Sequence, residues 1–562
     1  MKNFLIISFI FISFVYPFTV SDATGENGMV VSSKHEANQV GIDILKAGGN
    51  AIDAAVGVAF ALSVTHPSAG NIGGGGFMVI RFADGTKTTI DFRETAPSLS
   101  HENMFLDDTG NVIPGKSWST SLASGVPGTV AGLGYAHEKY GSLSWESLLR
   151  PSIYLAKYGF PLDYFNSSIL NSDKYKSFLS NDVSSKEIFT KDNDFKLNEI
   201  FIQKDLSETL SRIAEFGYKE FYVGKTSKMI INTMHRTNGI ISEYDLLSYK
   251  PKEREPVTFT YKGYTITSMP PPSSGGITLA HILNQLEYID LDSLGHNSAD
   301  YVHYFVEAEK RAYADRAKYI GDTDFVDVPI GMLISDLYAF NNFSSIDPLN
   351  STNSNTLNEE LITNIEESEE TTHFSVVDQY GNAVSVTYTL NGWFGNGITV
   401  TDAGFLLNNE MDDFSVKPGH PNAYGLIGNQ ANSIQANKRM LSSMTPTIVE
   451  DNESNLFMVL GTPGGSTIIT TIAQIIVNVI DFNMDIGPAV DARRFHHQWL
   501  PPYIQIEQYS LSNDVIKNLQ DRGHNLVYRS KFGIGEANCI LLKNNYMYGA
   551  ADSRRGAHAL GY

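Results

Sequence analysis

Two hydroxyls pose the first chemical question. Thr371 and Thr389 bound the stretch TTHFSVVDQYGNAVSVTYT, which alternates apolar and polar residues, turns over Asp378 to Asn382, and alternates again. That is the pattern of a β-hairpin. If it folds symmetrically about Tyr380, Thr371 lies directly opposite Thr389. Opposed side chains in an antiparallel pair have Cβ atoms about 4.5 to 5.5 Å apart, close enough for their hydroxyls to share a hydrogen bond. Threonines are also common in strands without any chemistry, so the pair alone leaves both readings open.

A nucleophilic hydroxyl needs a base. There is no G-x-S-x-G elbow, and His35, His101 and His137 are each followed by Glu without the second His of a zinc-peptidase motif. One remaining option is a threonine whose own amino group acts as the base, which requires Thr371 to become an N-terminus. The composition changes abruptly at that residue. From Phe340 to Glu370 the chain is rich in Asn, Ser, Thr and acidic residues and has no Lys or Arg, which predicts a mobile linker.

Further along, NLFMVLGTPGGSTIITTIAQIIVNVID predicts a strand, a glycine turn and a helix from near Ser466. Unpaired N–H groups at a helix start point outward, so Gly464 and Gly465 could hold a developing oxyanion or simply turn the chain. His303 and Glu307, four apart, resemble a metal pair. With no third ligand at a supporting spacing they are expected on a solvated helix face, as are His496 and His497, and no metal or other cofactor is expected.

These groups need a scaffold. HEANQVGIDILKAGGNAIDAAVGVAFALSVTHP predicts two helices, the first stopped by Gly48 and Gly49 and the second capped by Asn50. Gly73 to Gly76 lead into a strand, and no Lys-Ser/Thr follows them. They predict close backbone approach beside a sheet rather than a phosphate cradle. Phe77 to Phe82 and Thr88 to Glu94 form a second hairpin that leaves Arg93 near a strand end. Leu143 to Lys318 is mostly helical in pattern, interrupted by the TSMPPPSSGG loop.

With 562 residues, 42% of them hydrophobic, the chain can bury a large core. A net charge of -21 opposes nucleic acid or an anionic membrane as a main partner and favours a soluble enzyme or small-molecule binder. Residues 1–23 have a Lys, a short apolar run and a small-residue exit at Ala23, the order of a secretory signal peptide. Export to periplasm or medium is expected, without stable membrane insertion. The single cysteine, Cys539, is expected as a buried strand thiol.

Together, TTHFSVVDQYGNAVSVTYTLN, LLNNEMDDF, KRMLSSMTPTIV, GTPGGS, RFHHQWLP, DFRETAP and the closing GY resemble gamma-glutamyltranspeptidase from about Met29 to Tyr562. The resemblance implies an α+β fold, the four-layer αββα sandwich of N-terminal nucleophile hydrolases, made as one precursor. Self-cleavage at Glu370-Thr371 would give a large subunit, 24–370, and a small catalytic subunit, 371–562, that stay interlocked. Residue by residue, it implies Thr371 as nucleophile, Thr389 as its hydrogen-bond partner, and Gly464 and Gly465 as oxyanion hole. Arg93, Ser442 and Ser443 would bind a donor's α-carboxylate, and Asn391, Glu410 and Asp413 its α-amino group. Lys417 to Asn437 would be a lid with Tyr424 as gating aromatic. The implied activity is transfer of a γ-glutamyl group from glutathione-like donors to water or to amino acid and peptide amines. A related acylase acting on glutaryl or cephalosporin side chains, or on poly-γ-glutamate, is the alternative.

Overall fold

The computed structural model describes residues 22–357, 371–529 and 533–562. Most of residues 1–23, the acidic end of the predicted linker and Glu370 therefore lie outside the described residues.

Two seven-stranded antiparallel sheets carry the fold. Thr372–Asp378 and Ala383–Thr389 sit at the centre of one sheet, between Gly28–Ser32 on one side and Gly75–Arg81 on the other. The hairpin pairs Thr372 with Tyr388 and Val377 with Ala383, the register expected from symmetry about Tyr380. The other sheet is built around Thr447–Glu450, Leu456–Leu460 and Asn538–Lys543, with Cys539 fully buried as expected.

Strand alternation divides the core. Val30, Phe374, Val376, Val384 and Val386 pack against the helices His35–Lys46 and Ala51–Thr65. Their neighbours Val31, Val377 and Ala383 meet Ile448, Val459 and Ile540 of the second sheet. The far face of that sheet packs on Gly275–Leu286 and Ile468–Ile480.

Local signals hold where they were strongest. Asn50 closes a capping box, its side chain accepting from Ile52 and Asp53 N–H while Asp53 accepts from the Asn50 N–H. Close approach explains the glycine run. A Cβ on Gly74 would lie 1.9 Å from the Thr389 carbonyl oxygen, so only glycine lets this backbone pass beside the strand that carries Thr389.

The middle region is mostly helical as expected, but it also contains the hairpin Val257–Tyr261 and Tyr264–Ser268, which pairs into the second sheet through Thr447–Glu450. Its Tyr, Thr and Val residues had been submerged in flanking helical periodicity. The predicted linker is packed as far as Leu357: Asp336–Ser344 is helical, and Lys310 Nζ donates to Ser351 Oγ at 2.7 Å and to the Thr352 carbonyl at 3.1 Å. Finally, His303 and Glu307 are buried on the helix Ala299–Tyr319, facing His524.

Those three side chains place ligand-type atoms within 4.8 Å of one another. Glu307, however, already accepts from Lys310 and Arg311 at 2.8 and 2.7 Å, two cations that would repel a metal ion. His303 Nε2 lies 2.8 Å from the Asp347 carbonyl. The cluster thus clamps residues 345–352 onto the helix. His496 and His497 are also buried: His496 Nδ1 lies 2.8 Å from Thr470 Oγ1, and the His497 N–H donates to Glu309.

Candidate active site

Thr371 enters the central strand at the edge of a small pocket and is 6% exposed. Its φ is 156°, a conformation β-branched residues rarely adopt. By the hairpin register its position faces Thr389, whose Oγ1 accepts the Asn391 N–H at 2.8 Å. His373 is the imidazole nearest in sequence to Thr371. Its ring nitrogens contact Thr387 Oγ1 at 2.8 Å and Ser375 Oγ at 3.1 Å, and burial pushes its pKa down to about 3. Neutral and engaged at both nitrogens, it is unavailable as a base for the Thr371 hydroxyl.

Arg93 follows the strand Lys87–Asp91 and is fully buried. Asp91 accepts its N–H at 2.9 Å and the Tyr249 hydroxyl donates to its carbonyl at 2.8 Å, so the backbone is held before the guanidinium is placed. Nη1 lies 2.6 Å from Glu410 Oε2, and Nη2 pairs with Asp413. Both acids come from the single turn Glu410–Asp413. Asn408 Oδ1 accepts the Glu410 N–H at 3.1 Å, while its Nδ2 donates to the Gly73 and Gly125 carbonyls. One turn thus presents two carboxylates to one guanidinium fork.

Ser442 and Ser443 form the opposite wall with Met444. Arg316, from the helix Ala299–Tyr319, donates to Ser443 Oγ at 3.1 Å and to Ser274 Oγ at 2.9 Å. Sequence reasoning missed this residue: an arginine near a helix end is unremarked until the fold brings it to the pocket. Gly464 and Gly465 have φ of 136° and 56° before the helix Ile468–Ile480. Among the described residues neither N–H has an acceptor, which suits them to a developing oxyanion.

Tyr424 closes the pocket. It is 3% exposed, its hydroxyl donates to the Asn391 carbonyl at 2.8 Å, and Gln498 Nε2 donates to its carbonyl at 3.0 Å. Asp412 accepts the Ala423 N–H at 2.9 Å, and Asn422 Nδ2 donates to Asp413 at 3.2 Å. The loop is therefore seated over the pocket, and the cavity beneath it measures about 20 Å³, roughly room for a water.

Glu94 is the second residue missed. It is fully buried, 3.7 Å from Arg93 Nη1, with neither carboxyl oxygen hydrogen-bonded. Burial pushes its pKa up to about 8 against the pull of Arg93. Burial also raises Glu410 and Asp413, and opposes the charge of Arg93, which its three acidic neighbours nevertheless raise. Three carboxyls thus crowd one guanidinium, and the cluster keeps a proton near neutral pH.

The unfolded chain releases the Glu94 proton near the ordinary glutamate value of 4.5, whereas the folded chain keeps it to about 8. The folded state then binds more protons, and this contribution to stability falls as pH rises through that window. Glu94→Gln, neutral throughout, is expected to flatten the fall. Melting curves of both proteins from about pH 5 to 8 check it; parallel profiles would contradict the assignment.

The gamma-glutamyltranspeptidase family profile matches residues 37–562. The chain is 46% identical over 534 residues to the glutathione hydrolase proenzyme of Escherichia coli K12, covering 94% of this chain and 90% of that one. A solved structure of Helicobacter pylori gamma-glutamyltranspeptidase is 45% identical, with a TM-score of 0.56 over 57% of this chain and 92% of that chain. A cephalosporin acylase from Bacillus halodurans shares the fold at a TM-score of 0.81, covering 99% of both chains at 24% identity. Profile and relatives together show the family: the chain belongs to the gamma-glutamyltranspeptidase family.

Proposed function

We propose that this chain is a self-processing γ-glutamyltransferase and glutathione hydrolase whose nucleophile is Thr371. The observation that carries this reading is the convergence of Thr371, Thr389, Arg93, Asp413, Ser443 and Gly465 on one pocket. In the precursor the Thr371 hydroxyl attacks the Glu370 carbonyl, the amide becomes an ester, and water releases 24–370 from 371–562. The two-sheet arrangement is then the αββα sandwich of N-terminal nucleophile hydrolases. Each sheet contains hydrogen-bonded strands from both pieces, so the pieces stay interlocked after cleavage.

The freed α-amine, with an unperturbed pKa of about 7.7 to 8.0, takes the Thr371 proton during attack on a γ-glutamyl amide. Thr389 orients the hydroxyl, and Gly464 and Gly465 receive the oxyanion. The donor's charged head exchanges with an existing ion cluster. Its carboxylate joins Arg93, Ser442 and Ser443 while its ammonium joins Asn391, Glu410 and Asp413, so no unpaired charge is buried. A glutaryl group has no ammonium to offer Glu410 and Asp413 while its carboxylate competes with them for Arg93, which disfavours the acylase alternative.

Export through residues 1–23 belongs to the same proposal. Among the described residues no helix is long and apolar enough to cross a membrane.

Intact mass and N-terminal sequencing of the purified protein, followed by turnover of matched γ-glutamyl and glutaryl chromogenic amides, test the reading. A small fragment beginning at Thr371 and a preference for the γ-glutamyl compound are expected. A different N-terminus, or preference for the glutaryl compound, overturns it.

A further inference from the structure

A second and larger concavity adjoins the wall of the Thr371 pocket. It measures about 300 Å³ and is lined by Trp118, Tyr175, Phe178 and Trp393, with Lys174, Ser177 and Asn181 at its polar side. Size and lining are those of a small-molecule site, apolar and aromatic with few polar groups. The two concavities share structure. Trp393 lies two residues beyond Asn391, and the Trp118 ring meets the Tyr424 ring edge-on at 6.5 Å. Asn391 and Tyr424 in turn line the Thr371 pocket and are joined by the 2.8 Å bond from hydroxyl to carbonyl. That bond is the partition between them.

The aromatic faces are held from behind. Trp393 packs edge-on against Phe165 with centroids at 5.5 Å and lies 5.8 Å from the Tyr175 ring. Phe178 sits on the backbone at Gly397, where a Cβ would come within 2.9 Å of the ring. Lys174 is exposed, and its Nζ lies 5.1 Å from the Tyr175 centroid. Among the described residues it has no ion-pair partner. A protein of net charge -21 repels anions generally, so an unpaired ammonium beside an aromatic groove gives a carboxylate a local reason to dock.

The geometry points to this groove as the subsite for the amine acceptor, an amino acid or dipeptide with an apolar or aromatic side chain and a free carboxylate. The assignment rests on the function proposed above. Carboxylate and side chain rest on Lys174 and the aromatic rings, and the amine points past Tyr424 to the γ-glutamyl ester on Thr371. The neutral amine nitrogen forms a bond to the ester carbonyl carbon, and the bond from that carbon to Thr371 Oγ breaks. The proton lost by the nitrogen passes through the Thr371 α-amine to Oγ, and a γ-glutamyl amide departs. By microscopic reversibility the amine that leaves a peptide donor occupies the same groove.

L-Glutamine is the donor for the test, because its leaving group is ammonia and never reaches the groove. With the cleaved two-piece protein, γ-glutamyl transfer to L-phenylalanine, L-phenylalaninamide and glycine is measured against glutamine hydrolysis. Lys174→Glu is expected to raise the half-saturating concentration of phenylalanine about ten-fold or more and that of the amide less than about two-fold. Phe178→Ala is expected to raise it for phenylalanine and to leave glycine within about two-fold. Hydrolysis without acceptor stays near wild type in both.

If both variants use phenylalanine as the wild type does, the groove assignment is wrong. It is equally wrong if the wild type hydrolyses glutamine and transfers to no acceptor. A cleaved wild-type protein that fails to hydrolyse glutamine at all would instead sink the proposed function.

Discussion

A Thr371→Ala protein is expected to run as one uncut chain on a denaturing gel and to turn over no γ-glutamyl amide. The substitution removes the hydroxyl proposed to attack the Glu370 carbonyl, so the α-amine that should serve as base is never released. His373 cannot substitute, being neutral and hydrogen-bonded at both ring nitrogens. Loss of the nucleophile in comparable hydroxyl enzymes costs about 10⁶ in kcat. The fold should survive, because strand pairing starts at Thr372 and the lost side chain leaves that register unchanged. Thr371→Ser, which keeps hydroxyl and amine, is expected to cleave and retain activity. Its processing slows because serine lacks the methyl group that stiffens the threonine rotamer. Gels, a melting curve and one donor assay on the three proteins settle the matter. Cleavage in the alanine variant would remove Thr371 from both roles.

The second large effect is expected at Arg93. Arg93→Met leaves Glu94, Glu410 and Asp413 in a buried site without their nearest cation. Breaking a buried ion pair from one side costs about 3 to 5 kcal/mol. Protonation of the acids recovers part of this, since burial already raises all three. The donor also loses its carboxylate partner. Together kcat/KM is expected to fall about 10² to 10³-fold. Arg93→Lys keeps the charge but not the planar fork that meets Glu410 and Asp413 at once, and is expected to fall between. Measuring kcat/KM beside melting temperature separates lost binding from lost stability. An Arg93→Met enzyme within about two-fold of wild type in kcat/KM would show that the donor head is held elsewhere.

Features legible in the sequence were those set by near neighbours. The hairpin about Tyr380, the Asn50 cap, the glycine approach at Gly74 and the strand thiol of Cys539 depend on alternation, capping or backbone space within a few residues. Motif blocks located Arg93, Glu410, Asp413, Ser442 and Ser443 because resemblance carries position without requiring geometry. Reading by helical periodicity failed where polar residues were buried. His303, Glu307 and His496 looked solvated because they have partners distant in the chain: His524, Thr352 and Thr470. The predicted linker failed for the same reason, since Lys310 and Arg311 supply the hydrogen bonds that its polar residues need.

The sequence by itself proposed the chemistry available. Residue type and short-range order offered a hydroxyl that could become an N-terminus and N–H groups at a helix start, while the family resemblance implied a fork for a carboxylate and acids for an ammonium. Only the tertiary structure decided how these groups are charged and what surrounds them. Glu94 became a third acid under Arg93, Arg316 reached Ser443, Tyr424 came to line the Thr371 pocket, and aromatic residues far apart in the chain made a groove beside it. Burial and long-range contact set proton affinity and shape, and neither is encoded in the spacing of neighbouring residues.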